Sequence, residues 1–197
     1  MPETYNHKDV SPEILQAIGY IAIVAGNIEH YLEDTILVIR NEPVAGVRPS
    51  TDLVPVSKLI NQFKIQVNEF SSSTLKQIGQ YWCEIASQAF ICRNAILHGR
   101  SMVWNIENLD FLTNTRYNQE VRKRSSQTFI ATVDTAKLLA EVFSLLAQTI
   151  TGFMLLGHRK ISEEQLIKTI SLKKLREAIS TINELVNLVE YYNNEKY

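Results

Sequence analysis

The chain has 197 residues, of which 45% are apolar and 21% are charged, and its formal net charge is −1. This size and apolar content suffice for one ordinary hydrophobic core, and no linker-like stretch divides the sequence, so we expect a single domain over residues 1–197. The near-neutral charge excludes a polycation that coats nucleic acid indiscriminately, so any contact with nucleic acid must be local.

The first predicted helix covers residues 10–40. Its start is signalled by Ser11, a capping residue that is followed by a proline at the first helical position. Apolar residues then recur at three- and four-residue steps, the period of a helix that buries one side. Glu29 lies beside this stripe, where it is either a solvated glutamate at the margin of the buried face or a functional carboxylate. His30 and Glu33 are weaker candidates for the same function.

A loop that contains prolines and a glycine connects this helix to a second predicted helix, residues 52–70. Its apolar stripe consists of Leu59, Ile60, Phe63 and Val67. Three serines then break the chain before the third predicted helix, residues 73–98. Connections of this length are typical of antiparallel neighbours, so we expect an up-and-down helical arrangement.

The third helix carries most of the candidate chemistry. Its apolar stripe reaches Phe90, and Arg93 continues the same stripe, where an arginine is rare unless it is paired or used. Asn94 and His98 follow, and Gly99 suits the left-handed backbone that ends many helices. We therefore place the candidate site at the end of this helix.

The pattern changes after Gly99. Segments 101–106, 111–117 and 127–133 are short and contain β-branched and aromatic residues, which predicts a small β-hairpin or meander inserted over residues 101–133. The turn before the third segment carries four cations and one carboxylate. It is either a solvated turn or a tip that grips phosphates and stacks a base. The candidate RNA-binding residues are Arg100, Arg116, Tyr117, Arg122, Lys123 and Arg124.

Three further helices complete the prediction. Asp134 is expected to cap a helix over residues 134–156, and a short helix follows over residues 162–169. The last helix, residues 171–192, has a narrow apolar stripe that could pack on the bundle or on a partner chain.

Cysteine usage and the absence of an apolar leader bear on location. Cys83 and Cys92 are nine residues apart on one predicted helix, too far for a disulfide, so we expect reduced core cysteines. No Cys/His spacing suits a metal, and we expect no metal and no cofactor. The first ten residues lack a signal-peptide pattern and no run of about 18 apolar residues occurs. We therefore expect a soluble, cytoplasmic protein with no membrane partner.

The residues Arg93-Asn94-Ala95-Ile96-Leu97-His98-Gly99 resemble the signature of HEPN domains, an arginine and a polar residue followed by a histidine after four to six intervening positions. The resemblance implies an all-α fold, an up-and-down HEPN-like bundle. In this chain the small β insertion predicted above follows the motif helix. It also implies a homodimer and, as in many members, a metal-independent ribonuclease. HEPN first helices often present a polar or acidic residue to the Arg/His end, a place that Glu29 fits.

The chemistry of these side chains suits RNA cleavage. A histidine, with a pKa near 6.5, can take the proton from a 2′-hydroxyl or protonate the leaving 5′-oxygen. An arginine stays charged and donates two parallel hydrogen bonds to a phosphate. Asn94 would orient the phosphate or His98, and Glu29 would hold Arg93 or fix the imidazole tautomer. A dimer supplies two histidines to one cleft. We therefore expect an endoribonuclease with RNA as substrate, and the resemblance to HEPN domains further implies a toxin or defence effector with an antitoxin protein as a partner.

Helical geometry leaves alternatives open. Residues five apart on an ideal helix are about 140° apart, so Arg93 and His98 meet only if the helix end is distorted or the cleft wraps around it. Otherwise His98 interacts with the helix dipole and Arg93 forms a buried ion pair with Glu29. The alternative function is a non-catalytic HEPN-like module that binds RNA, a nucleotide or a protein partner.

Overall fold

The computed structural model describes residues 11–46, 48, 50–97, 100–102, 111–113 and 132–194, with residues 100–102, 111–113 and 188–194 described by their backbone alone. The described chain is mainly α-helical, so the predicted all-α class is confirmed. Its elements in chain order are α1 (Pro12–Ile39), α2 (Val56–Val67), α3 (Ser73–Leu97), β1 (Arg100–Met102), β2 (Phe111–Thr113), α4 (Val133–Gly157), α5 (Glu163–Thr169) and α6 (Leu172–Asn194).

The start of α2 and the cap of α4 differ from the prediction. Helix α2 begins at Val56 rather than at residue 52, because residues 51–53 form a turn in which Leu53 has a positive φ of 56°, and Pro55 then precedes the first helical residue. Helix α4 is capped by Thr132 and not by Asp134. Thr132 Oγ1 accepts a hydrogen bond from the Thr135 amide at 3.2 Å, while the Thr132 amide donates to Thr135 Oγ1 at 2.8 Å. Val133, predicted as the end of a strand, is therefore helical.

The two strands form a short antiparallel pair directly after α3. Arg100 pairs with Thr113, Ser101 with Leu112 and Met102 with Phe111. The rest of the predicted β insertion, including the basic turn at residues 116–124, lies outside the described residues. The full insertion therefore stays a prediction.

The expected antiparallel arrangement of α1 and α2 is wrong. Gln66, near the end of α2, donates its Nε2–H to the carbonyl of Ile36, near the end of α1, at 3.3 Å. Helix α2 is antiparallel to α3, since Val67 packs at Gly79 and the Ile60 carbonyl lies 3.9 Å from Cys83 Sγ. Because the connection from residue 40 to residue 55 is long, the chain can return and enter α2 in the direction of α1.

Aromatic residues from three helices form the centre of the core. Trp82 of α3 is fully buried and donates its Nε1–H to the Leu146 carbonyl of α4 at 2.9 Å. Phe63 of α2 meets Trp82 and Phe153 edge to face, with ring centroids 5.3 and 5.2 Å apart. Helix α6 covers α3 with buried Leu175, so its apolar stripe packs on the bundle.

Helix α4 is, among the described residues, the one helix long and apolar enough to cross a membrane. A buried core helix has the same length and composition, and 44% of the relevant window is buried here. Phe143, Leu146 and Ile150 of α4 lie in the core that α4 shares with α1 and α3. Packing within the fold thus explains the apolar character of the buried part of α4.

Candidate functional site

Arg93 lies in the last turns of α3, three residues after buried Phe90, and its side chain is 24% exposed. Its Nη1–H donates to Asn94 Oδ1 at 2.9 Å, and its Nη2 lies 4.0 Å from Glu29 Oε1 on α1. The Nε atom is buried and has no hydrogen-bond partner among the described residues. The guanidinium is therefore held on two sides while its hydrogen-bonding capacity is largely unused.

Glu29 follows buried Ile28, which places its carboxylate at the margin of the packed face of α1. The side chain is 39% exposed. Partial burial raises the pKa of Glu29, the charge of Arg93 opposes that rise, and the nearby Glu33 carboxylate adds to it. The expected pairing of Arg93 with Glu29 is present, but it is a long contact between partly exposed groups and not the buried ion pair of the alternative interpretation.

A second charged cluster lies farther along α1. Arg48, from the connection between α1 and α2, places its Nη1 3.0 Å from Asp34 Oδ1 and 3.4 Å from Glu33 Oε2. His30 Nε2 lies 3.6 Å from Asp34 Oδ2. His30 and Glu33 are therefore engaged with this cluster, which leaves Glu29 as the carboxylate that faces Arg93.

Sequence reasoning missed Arg48 and Asp34. Arg48 lies in a loop with prolines and a glycine, where no periodicity indicates which helix the loop will touch. Its contacts fasten the long connection onto α1 close to the Arg93–Glu29 pair. The one signal in the sequence was the cluster of acidic residues on α1 between Glu29 and Asp34. Such a cluster favours contact with a cationic side chain from elsewhere in the chain.

The described structure brings together three of the predicted site residues: Arg93, Asn94 and Glu29. His98 lies outside the described residues, and α3 ends at Leu97, directly before it. Arg100 is described by its backbone alone, as the first residue of β1. The other candidate RNA-binding residues also lie outside the described ranges: Arg116, Tyr117, Arg122, Lys123 and Arg124.

The arrangement around Arg93 can bind an anion. A guanidinium carries five N–H donors, and the described contacts of Arg93 comprise one hydrogen bond and one long ion pair. Two parallel donors fit two oxygens of a phosphate or a carboxylate. Asn94 is exposed and keeps its amide N–H groups for the same ligand, since its Oδ1 accepts from Arg93. Helix α3 thus presents a pre-oriented cation at its end.

The cysteines and carboxylates of the described ranges do not form a metal site: they contain no group of three or more His, Cys, Asp or Glu side chains placed to hold an ion. Cys83 and Cys92 are buried free thiols, as expected. Burial raises the pKa of each thiol to about 12. A thiol with such a pKa is protonated at neutral pH and is a poor nucleophile and a poor ligand.

Comparisons with protein-family models, with curated proteins and with solved structures find no match for this chain. The resemblance to HEPN domains therefore depends on the residues of the chain itself, from Arg93 to Gly99, and on the carboxylate of Glu29 beside Arg93.

Proposed function

We propose that the protein is a metal-independent endoribonuclease of the HEPN type, with Arg93 binding the scissile phosphate and His98 transferring protons. The observation that supports it best is the guanidinium of Arg93. It is half-buried, oriented by Asn94 and Glu29, and has most of its N–H donors unused by the described residues. The N–H donors of a structural arginine are normally engaged by its partners in the fold. A phosphate-binding arginine, by contrast, must keep N–H donors free for its ligand.

The proposed reaction is an internal transfer at phosphorus. One imidazole takes the proton of the 2′-hydroxyl, and the 2′-oxygen forms a bond to phosphorus. The bond from phosphorus to the 5′-oxygen breaks, and a second, protonated imidazole gives a proton to the leaving oxygen. The products carry a 2′,3′-cyclic phosphate and a 5′-hydroxyl. Arg93 stabilises the negative charge that accumulates on the phosphate oxygens.

The roles of the other residues in this proposal follow from their charge. Glu29 holds Arg93, and the cations at Arg116, Arg122, Lys123 and Arg124 bind phosphates of the RNA backbone. Arg100 begins β1, three residues after the end of α3, so the chain leaves the motif helix directly into the proposed RNA-binding insertion. The proposed topology is a HEPN-like bundle with this insertion after α3.

The decisive experiment compares wild type, His98→Ala and His158→Ala on a mixed RNA pool. His158 is an exposed histidine at the end of α4 and serves as the matched control. We expect wild type and His158→Ala to cleave in the presence of a chelator and to leave cyclic phosphate ends. We expect His98→Ala to lose cleavage by about a hundredfold or more. A substrate with hydrogen in place of the 2′-hydroxyl at the cleavage point should resist all three proteins.

The same experiment separates cleavage from binding. If a folded His98→Ala variant cuts RNA at the wild-type rate, the assignment of the site is wrong. If wild type binds RNA without cutting it, the chain is a non-catalytic HEPN-like module. In either case, charge reversal at Arg122, Lys123 and Arg124 should weaken RNA binding and lower the salt dependence by roughly 0.7 to 0.9 of a log-log unit for each phosphate that the variant no longer binds.

A further inference from the structure

The acidic side of α1 beside the candidate site is served by arginines from elsewhere in the chain. Helix α1 contains no lysine or arginine of its own, yet it carries Glu29, Glu33 and Asp34 close together. Arg93 of α3 lies 4.0 Å from Glu29, and Arg48 of the connection between α1 and α2 lies within 3.4 Å of the other two carboxylates. In the part of the chain that the structure describes, three carboxylates therefore share two arginines. How they share them decides how many N–H donors of Arg93 remain for a ligand.

Arg48 is engaged with both Glu33 and Asp34. Its Nη1–H donates a hydrogen bond to Glu33 Oε2 at 3.4 Å. The same nitrogen lies 3.0 Å from Asp34 Oδ1 as an ion pair, without the alignment of a hydrogen bond. These three side chains are 25% exposed or less, whereas Glu29 is 39% exposed. Solvent therefore screens the charge of Arg48 on Glu33 less than it screens an ion pair at the surface.

Glu33 is the carboxylate that competes with Glu29. The two are four residues apart on the same side of α1, where like charges repel. Burial is the largest cause of the raised pKa of Glu29, and the charge of Glu33 adds to it, so the two carboxylates interact even with Arg48 in place. His30 does not relieve Glu33, because its contact is with Asp34. Without Arg48, Glu33 would lack a cation among the described residues.

We propose that Arg48 is a positioning residue: by pairing with Glu33, it leaves Arg93 facing Glu29 alone, with its other N–H donors available to an anion. The inference rests on the proposed function only where it takes that anion to be a phosphate of RNA. Loss of Arg48 adds an uncompensated negative charge about one helical turn from Glu29. A unit charge about 10 Å from a phosphate changes its binding by roughly two- to tenfold, depending on how much water lies between them.

The test measures binding of a 2′-O-methyl oligonucleotide by fluorescence anisotropy, since methylation of every 2′-hydroxyl prevents cleavage. Arg48→Gln should weaken binding by about two- to tenfold. Arg48→Gln combined with Glu33→Gln should restore it to within about twofold of wild type. Arg48→Gln combined with Asp34→Asn is the matched control, because it has the same net charge but leaves Glu33 unpaired; its binding should remain weaker than that of the Glu33 double variant.

The two double variants separate this role from three simpler ones. If Arg48 contacted RNA itself, or merely fastened the connection onto α1, neither double variant would recover binding. If net charge alone mattered, both would recover equally. Each of these outcomes would overturn the proposal. Asp34→Asn alone removes the shortest contact of Arg48 and keeps Glu33 paired. It should not weaken binding, even if urea unfolding shows a loss of stability.

A second measurement does not depend on RNA. A carbon-13 NMR titration of the Glu29 carboxyl should give a higher pKa in Arg48→Gln than in wild type, because Glu33 is then unpaired. Adding Glu33→Gln should return that pKa to the wild-type value or below it. An unchanged pKa of Glu29 in Arg48→Gln would refute the role of Arg48. If wild type fails to bind the oligonucleotide, the proposed function fails, and the titration still decides whether Arg48 acts on Glu29 through Glu33.

Discussion

Arg93 of α3 and Glu29 of α1 meet with 4.0 Å between Nη2 and Oε1, at the outer limit of an ion pair. Both side chains are partly exposed, so solvent screens the attraction, and pairs of this kind contribute little to stability. The contact is better suited to orient the guanidinium than to anchor the fold. An arginine that is oriented but weakly paired can exchange its partner for a phosphate at small cost.

The first prediction follows from this weak pairing. Arg93→Ala should change the free energy of unfolding by about 1 kcal/mol or less, as expected of a long, partly exposed pair that solvent screens. A fully buried pair would cost roughly 3 to 5 kcal/mol when one partner is removed. Urea unfolding of wild type and variant measures the difference. If the proposed function holds, the same variant should lose RNA cleavage by about a hundredfold.

Two outcomes would contradict that prediction. A loss of stability near the value for a buried pair would mean that Arg93 is a structural residue. Arg93→Lys provides the matched variant, because lysine keeps the charge but lacks the planar pair of donors. Cleavage by Arg93→Lys at the wild-type rate would show that two parallel hydrogen bonds to the phosphate are not needed.

The second prediction concerns pH. Because burial raises the pKa of Glu29 above its ordinary value of 4.5, the ionised carboxylate opposes folding at neutral pH. As the pH falls through the raised pKa towards 4.5, protonation removes this cost. Wild type should therefore gain stability relative to Glu29→Gln over that window, and the gain should level off below 4.5. At pH 7 the variant should be at least as stable as wild type.

Urea unfolding of both proteins at a series of pH values measures this difference. Glu84→Gln, at an exposed position on α3, is the control for the chemical change from carboxylate to amide. If Glu29→Gln is clearly less stable than wild type at pH 7 and the gap closes on acidification, the attraction to Arg93 outweighs desolvation and the predicted sign is wrong.

The third prediction concerns the two thiols. Cys83 and Cys92 are buried, and burial raises the pKa of each to about 12, so they should remain protonated and shielded at pH 8. A disulfide reagent such as DTNB should label neither cysteine in the native protein and both in guanidinium chloride. Rapid labelling of the native protein would show that α3 opens locally or that its packing against α2 is looser than described.

The fourth prediction tests the close crossing of α2 and α3. A Cβ at Gly79 would lie 2.5 and 2.7 Å from the two γ-carbons of Val67. A β-branched side chain has few rotamers, so Val67 cannot turn both methyl groups away. Gly79→Ala should therefore destabilise the protein by about 1 to 3 kcal/mol.

Gly152→Ala is the comparison for this measurement. A Cβ there would clash with Leu166 Cδ1, the far end of a longer side chain that can rotate. Urea unfolding should show a smaller loss of stability for Gly152→Ala than for Gly79→Ala. Equal losses would mean that the crossing of α2 and α3 is not tighter than that of α4 and α5.

The sequence determined the features that depend on near neighbours. Apolar residues at three- and four-residue steps predicted the long helices, because side chains three or four positions apart share a helix face. Ser11 caps α1, with its Oγ accepting from the Ile14 amide at 3.3 Å. The same periodicity placed Arg93 on the margin of a buried stripe and Glu29 on the margin of another.

Only the tertiary structure decided that Arg93 and Glu29, at the margins of two different helix stripes, come into contact. Helix periodicity carries no information on whether α2 returns parallel to α1, on the loop that brings Arg48 to Asp34, or on how much water reaches Arg93 and Glu29. These relationships join residues 14 to 64 positions apart, and they depend on how all the helices fill one core together. A capping residue or an apolar stripe depends on a few neighbours in the chain, whereas a functional pair depends on the packing of the whole fold.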